Sequence, residues 1–203
     1  AYRSPTDMGV NRVGAGIIDD EVVREASRQE VIRRYFRHLW EVRRGFSPRY
    51  VLDRAERLMV RLSLTPTDRP VVQPARDAGA EAEATRRGND GFYCGAALEL
   101  PDGSIVTGRN SPLLHSASAA ILNGIKRLAG LPDNLHLLPE SMVGSLTEFK
   151  RTCLVSNSAS LNVQELLVAL GISSASNPAA KAGVEQIVHL RAAVRQADGN
   201  ADL

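Results

Sequence analysis

Lysine is nearly missing from this 203-residue chain: of 25 basic residues it supplies only Lys126, Lys150 and Lys181. The bias reads as a coding preference, since arginine and lysine serve alike on solvated faces unless a bidentate pair is required. Cysteine is almost as scarce. Cys94 and Cys153 cannot build a disulfide framework, and so few thiols point to a reducing, cytoplasmic setting. Cys94 falls in an apolar strand pattern and reads as core, whereas Cys153, close behind Lys150 and Arg151, is left open. No apolar run approaches the ~20 residues of a membrane span, and no signal peptide is visible. Net charge is only +2, too small to imply nucleic acid or a membrane surface as a partner, and neither is expected. Aromatics make up 4%, and the group Tyr35, Phe36 and Trp40 reads as core or subunit interface rather than a cofactor box. No cofactor is called for. The chain starts at Ala1 without Met, in structured-looking sequence, and reads as a piece of something longer.

What is present is helix, with one clear β unit. Ser4-Pro5-Thr6-Asp7 is a compact helix start, soon interrupted by Gly9, Gly14 and Gly16. Asp19-Asp20-Glu21 opens the longest helix, to about Arg44, with Val22, Val23, Ala26, Ile32, Tyr35, Phe36, Leu39, Trp40 and Val42 on a broad apolar face. Glu30 and Arg34 stand in the favourable i, i+4 order, and Gly45 ends the helix. Ser47-Pro48 starts a second helix with Tyr50, Val51, Ala55, Leu58, Met59 and Leu62 inward. Thr65-Pro66-Thr67-Asp68 starts a third, which frays through Gly79 and the Ala/Glu run 80–84. Gly88-Asn89-Asp90-Gly91 reads as a linker, or alternatively a lid, giving a helical subdomain at 1–88 and an α/β subdomain at 89–203.

The second subdomain is organised around Phe92–Leu128. An apolar run at 93–100, the turn Pro101-Asp102-Gly103 and a second β pattern at Ser104–Thr107 predict a hairpin. Gly108-Arg109-Asn110 then leads to a helix start at Ser111-Pro112. Leu135-His136-Leu137-Leu138 reads as a short buried strand. Pro139-Glu140-Ser141 begins a helix with Met142, Val143, Leu146 and Phe149 inward. Asn162 or Ser160 caps the next helix, and Asn177-Pro178 caps a last one, to about Val194.

Hairpin, helix, strand, helix is the element order of the first half of the cytidine-deaminase fold, and the likeness reaches single residues. Gly95-Ala96-Ala97-Leu98, Asp102-Gly103 and Thr107-Gly108-Arg109-Asn110 resemble deaminase strands that end on a nucleoside-contacting Asn. His115-Ser116-Ala117 sits where that family's zinc-ligand-x-Glu motif would open a helix. Pro139-Glu140-Ser141-Met142-Val143 sits where its Pro-Cys-x-x-Cys motif would open another. Here the Glu position is Ala117 and the two Cys positions are Glu140 and Val143, so one His remains where zinc needs three ligands. The resemblance implies a three-layer α/β/α deaminase-like subdomain without its metal or its chemistry.

A second resemblance spans nearly the whole chain. Tyr2–Asn11, Asp19-Asp20-Glu21, Ile32-Arg33-Arg34-Tyr35, Ala97–Gly108 and Asn177-Pro178 look like the second half of a bacterial family of uncharacterised proteins. That likeness implies a P-loop-NTPase-like domain upstream of the present residues. It supplies no activity.

Two groups of side chains are candidate ligand sites. Ser4, Thr6, Asp7 and Asn11 could hold an anion at a helix start, or simply cap it. Arg109, Asn110, Ser111 and His115 would meet at a strand end and helix start, with Arg109 for a phosphate or carboxylate. A structural role for His115 and a solvated Arg109 are the plainer readings. Asp19-Asp20-Glu21 needs no metal, because three acids already suit a helix start. The expected function is a non-catalytic module that forms a homo-oligomer and completes a nucleotide or small-molecule site shared with the upstream domain. The alternative is a part of a nucleotide-dependent enzyme.

Overall fold

A 24-residue helix, α1 (Asp20–Arg43), opens the part of the chain described by the computed structural model, which covers residues 20–89, 91–154 and 158–190. Its end is a Schellman motif. Gly45 takes φ +76°, its N–H donates to Val42 O, and Phe46 N–H donates to Glu41 O. The helix α2 (Arg49–Arg61) ends in the same way without glycine: Ser63 adopts φ +51°, and Leu64 N–H donates to Met59 O at 2.9 Å. Leu64 and Met59 then pack together with the fully buried Ile32 and the flanking Tyr35 and Phe36. Glu30 pairs with Arg34 at 2.6 Å as expected, and also with Arg33 at 2.7 Å.

Much of the expected α1 face stays in solvent: Val22, Val23 and Trp40 are all more than half exposed. Length is the reason. At 1.5 Å per residue α1 is about 36 Å long and α2 about 20 Å, so α2 cannot cover both ends of it. On α2 the buried residues are Leu52, Ala55 and Met59, while Tyr50 points outward. Thr65–Asp68 does not start the third helix. It closes a single 3-10 turn (Pro66–Asp68), with Thr65 N–H donating to the Asp68 carboxylate at 2.6 Å and Gln29 donating to Asp68 O at 2.8 Å.

The chain divides into compact units at Asp68/Arg69, not at 88/89. Helix α3 (Val72–Ala84) runs through Gly79 without fraying and belongs with the hairpin β1 (Gly95–Glu99) and β2 (Ile105–Arg109). The strands are antiparallel, Gly95 opposite Arg109 and Ala96 opposite Gly108. Two glycines place the layers. A Cβ on Gly95 would lie 2.0 Å from Ala75 O on α3. A Cβ on Gly108 would lie 2.1 Å from Ala120 N on α4 (Ser116–Leu128). By the pleat these two glycines face opposite ways, so the hairpin is sandwiched between α3 and α4 in an α/β/α arrangement. Gly88–Gly91 lies inside this unit, where Asn89 and Phe92 exchange backbone hydrogen bonds at 3.1 and 2.9 Å. The linker expected here is therefore not a boundary between the two compact units.

The expected third strand does not form. Among the described residues the sheet has two strands. Leu137 is fully buried, but its carbonyl accepts from Ser173 Oγ at 2.8 Å and Asn177 Nδ2 at 3.3 Å rather than from a neighbouring strand. Helices α5 (Glu140–Cys153), α6 (Val163–Ser173) and α7 (Pro178–Glu185) complete the unit. The last is interrupted by a turn at Gln186, after which helix resumes at 187–190, and its expected end near Val194 lies outside the described residues. Ile125, Leu137, Leu166, Leu170 and Ala180 form the core. The fold is mixed α/β, as the sequence predicts.

Candidate functional site

β2 delivers Asn110 to the point where the hairpin ends and α4 begins. Asn110 is buried, and both ends of its amide are used. Oδ1 accepts from Cys94 N–H at 2.8 Å and Nδ2 donates to Phe92 O at 2.8 Å. Asn110 N–H also donates to Cys94 O at 3.0 Å. The side chain therefore clamps the chain entering β1. Cys94 itself is exposed, correcting the expectation of a core thiol: it is the backbone here that is held inside. Ser111 Oγ accepts from the N–H groups of Leu113 and Leu114 at 3.2 and 3.1 Å, shaping the turn into α4. Arg109 forms an ion pair with Glu81 of α3, on the hairpin face opposite Gly108. His115 stands exposed at the cap position of α4 without a side-chain cap bond. The structure thus brings Asn110, Ser111 and His115 into one corner and turns Arg109 to α3. Ser4, Thr6, Asp7 and Asn11 lie outside the described residues.

The same corner receives a segment in which the sequence shows only a helix cap, at Asn162 or Ser160. Residues 158–162 run beside Leu113–His115: Leu161 N–H donates to Leu113 O at 2.8 Å and His115 N–H to Leu161 O at 3.0 Å. Three buried polar side chains pin this contact. Ser160 Oγ donates to Ser111 O at 2.7 Å, Ser118 Oγ to Leu161 O at 2.9 Å, and Lys150 Nζ to Ser160 O at 2.7 Å. Lys150 also pairs with Glu165 at 2.8 Å. Glu165 in turn accepts from Asn162 N–H at 2.9 Å, while Asn162 Oδ1 accepts from Glu165 N–H at 3.0 Å. That reciprocal pair is a capping box at the start of α6.

Charge in the corner is balanced. Burial opposes ionisation of Glu165, but the Lys150 hydrogen bond, the Asn162 N–H and the charge of Lys150 outweigh it and hold the carboxyl below its usual range. Among the described residues no three His, Cys, Asp or Glu side chains come together as a metal ligand set. What the arrangement can do is keep a rigid surface at the start of α4 on which His115 is presented.

Two signals could have exposed Lys150 and Glu165. One is Asn162-x-x-Glu165, a capping-box spacing. The other is the scarcity of lysine itself. Of three lysines, Lys126 and Lys150 are buried, each with its ammonium on a backbone carbonyl. Lysine is kept where a compact ammonium on an apolar stem fits and a planar guanidinium does not. On α5 the expected inward Phe149 is half exposed, and Lys150 points inward instead.

A helical unit followed by a small α/β/α unit with this corner matches one family along almost its whole length. The N-terminal part of the domain of unknown function DUF1846 matches residues 1–63, and the C-terminal part matches residues 67–194. The chain belongs to the DUF1846 family. It is 44% identical to a UPF0371 protein of Clostridium tetani over 190 residues, covering 94% of this chain and 38% of that protein. UPF0371 proteins of Clostridioides difficile and Clostridium botulinum are 43% and 42% identical, again with 94% and 38% coverage. The chain therefore spans about two fifths of the length of these relatives. No helix among the described residues is long and apolar enough to cross a membrane.

Proposed function

We propose that this chain is a non-catalytic module of a longer cytoplasmic protein, completing a nucleotide or small-molecule site with another domain and associating with copies of itself. One observation carries the reading: Asn110 and Ser111, the side chains best placed to contact a ligand, are spent on the chain's own backbone. The corner keeps its shape through internal bonds, and its outward chemistry is reduced to His115. Two free, exposed thiols at Cys94 and Cys153 fit a reducing compartment. Exposed Trp40, Phe46 and Tyr50 supply apolar surface for self-association. What supports a deaminase-like ancestry is the hairpin leading directly into α4. Residues 135–138 do not supply the third strand it requires, so the proposal rests on the corner and not on kinship.

The test is nucleotide turnover by the full-length protein with Asp7→Ala and His115→Ala. Turnover unchanged in both supports the non-catalytic reading. A loss of roughly a hundredfold with intact folding supports the alternative, a nucleotide-dependent enzyme with a P-loop-like domain upstream. That second reading draws on the exposed His115 and on the further length of the relatives. Sedimentation at micromolar concentration is expected to show a species larger than one chain, and a monomer ends the self-association part.

A further inference from the structure

The helical unit carries a trough that the corner described above does not involve. On one flank of the α1–α2 pair, Ile32, Tyr35 and Phe36 pack with Met59 and Leu64. On another flank the two helices leave an open groove of about 810 Å³. Its floor is aliphatic, made by Val31 of α1 and by Val51, Ala55 and Leu58 of α2. Its walls are cationic: Arg34, Arg54, Arg57 and Arg61 line it against the single carboxylate of Glu30. Glu30 is already taken by Arg33 and Arg34. The side chains of Arg54, Arg57 and Arg61 form no ion pair or hydrogen bond among the described residues, and all three are exposed.

Spacing tells what such a surface fits. Positions 54, 57 and 61 share one helical face and rise by about 4.5 and then 6 Å along the axis, making a row about 10 Å long. A small ligand calls for polar groups converging inside an enclosing pocket, and this is a row beside an open trough. A single-stranded nucleic acid calls for aromatic stacking platforms, and the lining contains no Phe, Tyr or Trp. An aliphatic floor edged by cations at helical intervals is the complement of an amphipathic helix with carboxylates along its border. From Ser27 to His38 the α1 wall spans about 16 Å, or three helical turns.

We propose that the α1–α2 groove docks an acidic amphipathic helix of a partner polypeptide. The helix is about three turns long. Its aliphatic stripe lies on Val31, Val51, Ala55 and Leu58, and its carboxylates meet Arg54, Arg57 and Arg61.

The probe is a labelled, capped peptide of about 14 residues, made of Leu, Ala and Glu. Leucine sits at the i, i+3, i+4, i+7 positions and glutamate on both borders. It is titrated into the full chain and followed by fluorescence anisotropy. Saturable binding is expected, weakened at least roughly tenfold in the triple variant R54E/R57E/R61E and clearly reduced in R54Q/R57Q/R61Q. These side chains are exposed and unpaired, so circular dichroism should show both variants folded. A peptide of identical composition in scrambled order should bind at least roughly tenfold more weakly, because its leucines no longer share a face. Equal binding of the scrambled peptide would reduce the effect to bulk charge and overturn the proposal. So would no binding, full binding by the folded triple variant, or displacement of the peptide by an oligothymidylate that binds more tightly.

Discussion

Lys150 of α5 and Glu165 of α6 form an ion pair at 2.8 Å, and the same ammonium donates to Ser160 O at 2.7 Å. The lysine side chain is 8% exposed and the glutamate 26%. One buried cation thus ties a helix, a connecting segment and a helix cap together at the start of α4. The pair holds only as a pair, because either charge alone keeps its desolvation cost without its partner.

Lys150→Ala is accordingly expected to destabilise the chain by about 2–3 kcal/mol in urea unfolding, the partial exposure of Glu165 moderating the full cost of breaking a buried pair. Lys150→Arg should also destabilise, because the guanidinium cannot occupy the space of a single ammonium between Ser160 O and Glu165. An arginine variant as stable as wild type would show that charge alone matters there.

Acid sensitivity follows from Glu165 and Glu30. Glu165 lies below the usual 4.5 because the Lys150 and Asn162 bonds outweigh burial. Glu30 lies below it chiefly through the Arg33 hydrogen bond, against burial, with Arg34 adding to the effect. With folded values under unfolded ones, the unfolded chain binds the extra protons. Their stabilisation is complete above the usual value and disappears as pH falls through it and past the folded values. Lys126 works at the other end. Burial lowers it from 10.5 against the pull of Asp133, so stability rises as pH climbs from its folded value towards 10.5. Thermal melts across pH should show both limbs, the acid one shallower in Glu165→Gln and the alkaline rise missing in Lys126→Met.

Asn110→Ala should leave Cys94 N–H without its acceptor and Phe92 O with the Asn89 N–H as its remaining donor, at a cost of about 1–3 kcal/mol. Hydrogen exchange should quicken at Cys94 before the core of α6. Asn110→Asp removes the donor to Phe92 O and should not rescue it. Wild-type protection at Cys94 in either variant would contradict the clamp.

The glycines are expected to divide sharply. Gly95→Ala and Gly108→Ala drive a methyl group into backbone atoms at 2.0 and 2.1 Å, so either should separate a helix from the hairpin and prevent stable folding. Gly144, inside α5, has open space around it, and Gly144→Ala should stabilise by up to about 1 kcal/mol. Calorimetric midpoints of soluble variants check both directions.

Element ends were readable from residues alone because they are settled within one turn of chain. Gly45 stops α1, Asn162 starts α6 and Asn177-Pro178 starts α7, as their local chemistry requires. Asp102-Gly103 turns the hairpin, with Gly103 at φ +78°. Thr65–Asp68 shows the limit of such signals: the cap bond forms, but one 3-10 turn satisfies it.

Burial was not readable, since it depends on what arrives from far along the chain. Apolar spacing marks Trp40 and Phe149 as inward as readily as Ile32, yet of the three only Ile32 is buried, against Met59 and Leu64. Leu135–Leu138 has the composition of a strand, but Ser173 and Asn177 claim the carbonyl of Leu137, and a ladder cannot form where side chains occupy its acceptor. The corner at Asn110 was legible as a meeting of strand end and helix start. That Lys150, Ser160 and Glu165 would close it was a matter of tertiary packing, because the Lys150–Glu165 pair and the Ser160–Ser111 and Ser118–Leu161 bonds join residues 15 to 49 positions apart.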